Sequence, residues 1–214
     1  MTHRPISRRL LVLGAALVAA PLAGVARAQA GAQAGASPEA AAAFVQQAGG
    51  DLARVVSGAE SIQAKRQRLL PFLDRTVDVD GVARFCLGRF WQTATPQQQA
   101  EYLRLFRIVL ANGVAGRLGD YQEGKTTVMT GRPELRQDGI SVPTTVARGN
   151  NPPNRVTWLV VQADGGLRIA DVTAEGISLR LTQRQDYASF LSRNGNDLNA
   201  LIRAMAAQVA QLQG

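Results

Sequence analysis

The sequence predicts an α+β domain, with helices at both ends and an antiparallel meander of four strands between them. Three observations carry this. Up to about residue 118, apolar residues recur three and four apart, the spacing of one helix face. From 126 to 174 the texture changes to β-branched runs separated by turn residues. Helical spacing then returns for the last part of the chain. Helices, a meander and flanking helices together make an α+β domain.

The elements follow in order. Residues 29–36, alternating Gln, Ala and Gly, form a tether with nothing to bury. Ser37-Pro38-Glu39 supplies an N-cap, a first-position proline and an acid where a helix begins. Phe44, Ala48, Leu52 and Val55 continue that helix to Ser57-Gly58. A second helix carries Ile62, Arg66, Leu69 and Leu73, and Pro71 is expected to bend or shorten it. Asp78 or Asp80 caps a short third helix bearing Val82, Phe85, Cys86 and Phe90. Thr95-Pro96-Gln97-Gln98 has the form of a capping box with proline at the first helical position. It opens a long helix with Tyr102, Leu103, Phe106, Val109, Leu110 and Val114 on one stripe, running to about Leu118.

Four strands are expected over Thr126–Thr130, Ile140–Ala147, Val156–Ala163 and Leu167–Ala174. Asp138-Gly139, Asn150 to Asn154 and Asp164-Gly165-Gly166 supply the turns. Pro143 has no amide hydrogen, so it points to an edge position or a bulge. The third run, Val156 to Val161, is apolar on both faces, as in a strand covered on both sides or facing a cavity. Two helices close the chain. The first carries Tyr187, Phe190 and Leu191 and stops at Asn194-Gly195; the second starts near Asn196-Asp197 and carries Leu198, Leu201, Ile202, Met205, Val209 and Leu212.

Residues 1–28 read as an export signal. Arg4, Arg8 and Arg9 form a basic start, Leu10 to Val25 an apolar run, and Ala26-Arg27-Ala28 a small-x-small cleavage site. The run is shorter than the roughly 20 residues a spanning helix needs. Ser7-Arg8-Arg9-Leu10-Leu11 also resembles a twin-arginine signal. The expected organisation is therefore a signal over 1–28, a tether over 29–36 and one domain over 37–214, placed in the periplasm.

Composition then removes several functions. Half of the formal charge of +8 belongs to the four arginines of residues 1–28. The remaining basic residues are scattered and do not alternate with aromatics, so no nucleic-acid footprint is expected. The single histidine, His3, also lies in that segment. A mature chain without imidazole has no His triad, no His metal site and no general base of the commonest kind. Cys86 is the only cysteine, and its apolar neighbours Val82, Phe85 and Leu87 suggest a buried helical thiol. No catalytic residue, metal site or cofactor is expected. Asp171, on the last strand, is the one carboxylate that a cavity enzyme could use as a base, yet no second acid or oxyanion donor accompanies it. Its plainer role is to accept hydrogen bonds from neighbouring backbone. Phe85, Phe90, Trp91, Phe106 and Trp158 fit either a filled core or the wall of a hollow one, because periodicity marks burial and not emptiness.

Three stretches resemble the MlaC family, soluble periplasmic lipid-binding proteins also called toluene-tolerance proteins. They are Asp78-Val79-Asp80 through Ala83-Arg84-Phe85 to Leu87-Gly88-Arg89-Phe90-Trp91, then Thr95-Pro96 through Leu105-Phe106, and Asp171-Val172 through Glu175-Gly176-Ile177-Ser178-Leu179. Cys86, Gly81 and Pro143 depart from the usual family pattern. The resemblance implies a curved sheet and helices around a deep apolar pocket, similar to nuclear-transport-factor-like (NTF2-like) domains. It implies a carrier of phospholipid moving between an outer-membrane lipoprotein complex and an inner-membrane ABC transporter with an MCE-domain subunit. A hopanoid or other polycyclic lipid is the alternative cargo. Phe85 and Ile177 lie in the matching stretches. Trp158 and Val160 share a strand face by the period of two. These four are the expected lipid-binding residues.

Overall fold

A computed structural model describes residues 36–56, 61–117, 126–148 and 152–211. The segment 1–28 and most of the tether lie outside them, as do the expected helix end at Ser57-Gly58, Leu118, Leu212 and part of the turn at Asn150. All the described residues belong to one unit, Gly35–Gly214.

Four helices lead to a long fifth. Helix α1 (Pro38–Val56) starts where the Ser37 hydroxyl accepts from Ala40 N, and it buries Ala41, Val45 and Ala48 along one face. Helix α2 (Ile62–Thr76) is capped by Ser61 and continues past Pro71. It neither ends nor shortens there, because Leu69, Phe72 and Leu73 on either side are buried and hold the helix against the core. Val77 then leaves the helix to bridge Ile169, and Asp78 N donates to Ile169 O at 3.0 Å.

Helix α3 (Val79–Leu87) is capped by Asp78, whose Oδ1 accepts from Gly81 N at 3.0 Å. A Cβ on Gly81 would stand 2.0 Å from Asp78 Oδ2, so glycine is what lets this cap close. Gly88, at φ +61°, stops α3 before Phe90. Phe90 therefore belongs to a separate short helix, α4 (Phe90–Thr93), and not to the third helix as the pattern predicts. The expected capping box is present at the head of α5 (Pro96–Arg117). Gln98 N donates to Thr95 Oγ1 at 3.2 Å, and Thr95 N donates to Gln98 Oε1 at 2.9 Å.

The sheet is antiparallel, with six strands where the sequence predicts four. They are β1 (Thr126–Thr130), β2 (Glu134–Arg136), β3 (Gly139–Arg148), β4 (Asn154–Ala163), β5 (Gly166–Ala174) and β6 (Ile177–Ser178), in the order β1-β3-β4-β5-β6 with β2 also on β3. Pro143 sits in an interior strand, paired with Thr157 of β4. Its missing amide hydrogen faces the gap between β1, whose pairing ends at Thr144, and β2, whose pairing begins at Ser141. There Gly131 N donates to the Pro143 carbonyl at 2.8 Å. The break in the neighbouring ladder, not a sheet edge, accommodates the proline.

Strand β4 is buried on both faces at its centre, at Leu159 and Val160. Leu159 pairs with Asp171 and Val160 with Ile169, so Ala170 is an extra residue in β5. This bulge lets Ile169 and Ala170 both be buried although they are adjacent.

Helix α6 (Leu179–Arg193) is capped by Ser178, and Gly195 and Asn196 at positive φ turn the chain into α7 (Leu198–Gln211). Two apolar clusters result. The larger joins α2, α3, α5, α6 and α7 around Leu69, Tyr102, Leu105 and Leu191. The smaller packs Ala41 and Val45 of α1 on Ile140, Val142 and Val160 of the sheet.

Candidate functional site: an apolar cavity with one polar end

Where the two clusters meet, the side chains leave a cavity of 340 Å³. Val45 and Leu52 of α1, Phe72 of α2 and Phe106 and Val109 of α5 form its helical wall. The sheet contributes Trp158, Ile169, Ala170 and Val172. The bulge at Ala170 matters here, since it puts two successive residues of β5 on the cavity. Trp158 pairs with Val172 and Val142 across the sheet, and its indole N–H donates to Thr144 Oγ1 at 3.0 Å. That bond satisfies the one polar atom of the ring and fixes the ring face as wall.

The polar lining comes from α6 and β5: Asp171, Arg180, Thr182, Gln183 and Asp186. Asp171 Oδ1 accepts from Val172 N at 2.8 Å and Arg180 N at 3.1 Å; Oδ2 accepts from the Ser178 hydroxyl at 2.5 Å. Arg180 Nε lies 3.5 Å from the same oxygen, an ion contact without the alignment of a hydrogen bond, and Arg180 Nη2 reaches Asp138 at 3.0 Å. The carboxylate is thus a tie between β5 and the start of α6. Glu175 accepts from Arg155 N at 2.6 Å and holds the turn that follows β5.

The four expected lipid-binding residues occupy four different settings. Trp158 lines the cavity. Val160, fully buried, packs in the smaller cluster with Ala41 and Val45, behind the wall and not on it. The Phe85 ring lies between two guanidiniums, Arg180 at 4.5 Å and Arg184 at 4.9 Å. Ile177, 61 % exposed, is on the surface next to Leu179, which does line the cavity. Most of the apolar lining comes from α1, α2 and α5. Their stripes were visible as helix faces, but nothing in a helical period distinguishes a residue facing a neighbour from one facing a void.

Other groups carry no visible chemistry. Cys86 is buried beneath α6, and its thiol lies 3.5 Å from the Arg180 carbonyl oxygen. Burial, assisted by the Asp171 charge, pushes the thiol up to about 12. Burial likewise raises the Tyr102 and Tyr187 hydroxyls. Among the described residues no cluster of His, Cys, Asp or Glu is arranged to hold a metal ion, and no helix is long and apolar enough to cross a membrane.

Comparison with known proteins agrees with this fold. A family model described as MlaC protein matches residues 44–207. Toluene tolerance protein ttg2D of Pseudomonas putida is 28 % identical over 142 residues; the chain spans 65 % of the length of this curated relative, and the match covers 65 % of the chain itself. The fold is similar to that of a phospholipid-binding protein from Ralstonia solanacearum, solved in complex with a phospholipid. The TM-score is 0.68 at 24 % identity, over 81 % of this chain and 99 % of that one.

Proposed function

This chain belongs to the MlaC protein family, and from that premise we propose that it is an exported, periplasmic carrier of phospholipid. The observation that carries the reading is the cavity: an apolar chamber whose polar residues gather at one end. An amphiphile fits such a space in one direction, with its chain among Trp158, Phe72, Phe106 and Val109 and its headgroup towards Arg180 and Gln183. Each methylene withdrawn from water contributes about 0.8 kcal/mol. An apolar cavity of about 150 Å³ takes up one benzene ring. The 340 Å³ here therefore has room for about one acyl chain. A two-chain lipid has to part the walls, and release needs the same movement in reverse.

Residues 1–28 are the signal that delivers the chain to the periplasm, and residues 29–36 the tether that precedes the domain. Its partners are an outer-membrane lipoprotein complex and an inner-membrane ABC transporter with an MCE-domain subunit, between which it shuttles lipid. Family membership and the fold likeness support this reading. Val160 keeps α1 seated behind the wall, while Phe85 and Ile177 border the polar end.

Native mass spectrometry of the protein purified from its host, followed by lipid extraction, tests the reading. One phospholipid per chain is the expected result. A chain that is empty in every preparation overturns the carrier, and a polycyclic lipid in place of phospholipid overturns the cargo.

A further inference from the structure

The described surface is not uniform in charge. Around the C-terminal end of α3, three arginines lie on aromatic rings or beside them. The Arg84 guanidinium is 5.2 Å from the centre of the Trp91 ring, Arg89 is 5.0 Å from that of Phe90, and Arg184 is 4.9 Å from that of Phe85. All three arginines are exposed. Arg184 also touches the position of Gly88, where an added Cβ would stand 3.1 Å from its Nη2, so the cluster is contiguous.

Asp186, exposed two residues from Arg184, and Asp164, which lines a small pocket with Arg84, are in no ion pair among the described residues, but the other neighbouring acids are engaged elsewhere. Asp80 pairs with Arg107, Glu101 with Arg104, and Asp138 and Asp171 with Arg180. Among the described residues, Arg84, Arg89 and Arg184 have no carboxylate partner. Capping of α3 accounts for Arg184, whose Nη1 donates to the Phe85 carbonyl at 3.0 Å. It does not account for Arg84, which lies over the Trp91 ring and borders a small pocket with Asp78 and Asp80, or for Arg89, which lies over the Phe90 ring. A guanidinium resting on a ring keeps its N–H edge directed outward, pre-ordered for the paired oxygens of a phosphate.

This surface adjoins the polar end of the cavity. Arg180, which lines the cavity, shares the Phe85 ring with Arg184. Leu181, 48 % exposed, is three residues from Arg184 on the same helix, and Leu179 and Ile177 are exposed just before it. Cations over half-buried aromatic rings, next to exposed aliphatic side chains, form the chemistry of a surface that meets lipid headgroups.

We propose that this arginine–aromatic surface docks the protein on an anionic lipid bilayer, with the polar end of the cavity beside the membrane. The inference rests on the carrier reading only for its purpose; the contact itself is a matter of charge. Co-sedimentation with vesicles of phosphatidylethanolamine containing phosphatidylglycerol, against vesicles of phosphatidylcholine alone, tests it. The protein pellets with the anionic vesicles, less so as salt rises, and does not pellet with the neutral ones. Near such a surface each arginine contributes enough to change binding about fivefold. Arg84→Gln and Arg89→Gln together, which leave the bond to Phe85 O intact, therefore weaken binding more than tenfold, by roughly 25-fold. Arg104→Gln on α5 leaves it unchanged. Equal pelleting with both vesicle types, or an Arg84/Arg89 double variant that binds like the parent, overturns the proposal. So does a protein that ignores vesicles and is held through these arginines by an acidic protein instead. Vesicle binding is read whether or not the cavity holds cargo, so an empty cavity sinks the carrier reading alone.

Discussion

Asp171 and Arg180 meet twice: the carboxylate accepts the arginine's backbone N–H at 3.1 Å and faces its Nε at 3.5 Å. One residue lies in the sheet's cavity-lining stretch and the other in the first turn of the helix that supplies the polar lining. With the Asp171 side chain only 9 % exposed, removing it leaves Arg180 and the Ser178 hydroxyl without their shared acceptor. Breaking a fully buried pair costs about 3–5 kcal/mol. Arg180 keeps Asp138 and is 19 % exposed, so a smaller loss of about 2 kcal/mol is expected for Asp171→Ala. Urea denaturation measures it. Lipid uptake below the melting transition stays intact, whereas its loss in a folded protein would give Asp171 a direct part in function.

Val160 and Val109 separate filled core from lumen. Val160 of β4 is fully buried beneath α1, so Val160→Trp overpacks the smaller cluster and destabilises by about 1–3 kcal/mol or more. Val109 lines the cavity. Val109→Trp puts its ring into the lumen and displaces cargo while the melting temperature holds. Melting curves and co-purified lipid, measured on the same samples, check both halves. Equal destabilisation by the two variants would mean that the cavity is not available space.

Glycines on two helices predict opposite signs. Gly50 is exposed within α1, and a Cβ there meets nothing within 4 Å. Gly50→Ala is expected to stabilise by up to about 1 kcal/mol, the ordinary helix-interior difference. Gly81→Ala drives a methyl into the Asp78 carboxylate and costs about 1–2 kcal/mol with the loss of the cap. Thermal unfolding of the two variants distinguishes them directly.

Cys86 predicts a pH dependence. Its thiol is raised from an ordinary 9.0 to about 12, first by burial and then by the charge of Asp171. In the unfolded chain the thiol ionises at its ordinary value, while the folded protein holds it neutral. The stabilisation is therefore complete below pH 9.0 and is lost as pH rises from there towards 12. Urea midpoints across this window fall for the parent and fall less steeply for Cys86→Ala. In native protein near pH 8 the thiol reacts with maleimide only on the timescale of unfolding.

Several elements were legible because their signals are local. The Thr95–Gln98 box and the turn at Asn194-Gly195 are each written within four residues, and each appears where the pattern places it. The break at Gly88 had a local signal too, a glycine after a helical stripe, but Phe90 continues the apolar period and hides it. Strands β2 and β6 are three and two residues long, too short to show alternation. Pro143 points in the sequence to an edge position or a bulge because a missing donor needs an unpaired side, and the gap between β1 and β2 supplies one inside the sheet. The cavity wall is the least legible part. Val45, Phe72 and Phe106 come together from three helices, and Trp158 and Val160 share a strand face while only Trp158 lines the void. Volume left unfilled depends on all these residues at once, and no window of sequence contains it.

The chain has two tryptophans, and they stand at different surfaces. Trp158 forms part of the cavity wall with its indole N–H fixed to Thr144, and Trp91 lies beneath the Arg84 guanidinium. The protein thus carries two indole fluorophores, one reporting occupancy and the other contact at the arginine surface. With Trp91→Phe, emission follows loading without a dye; with Trp158→Phe, it follows docking. Arrival and filling become separately timed events in a single stopped-flow trace of each variant.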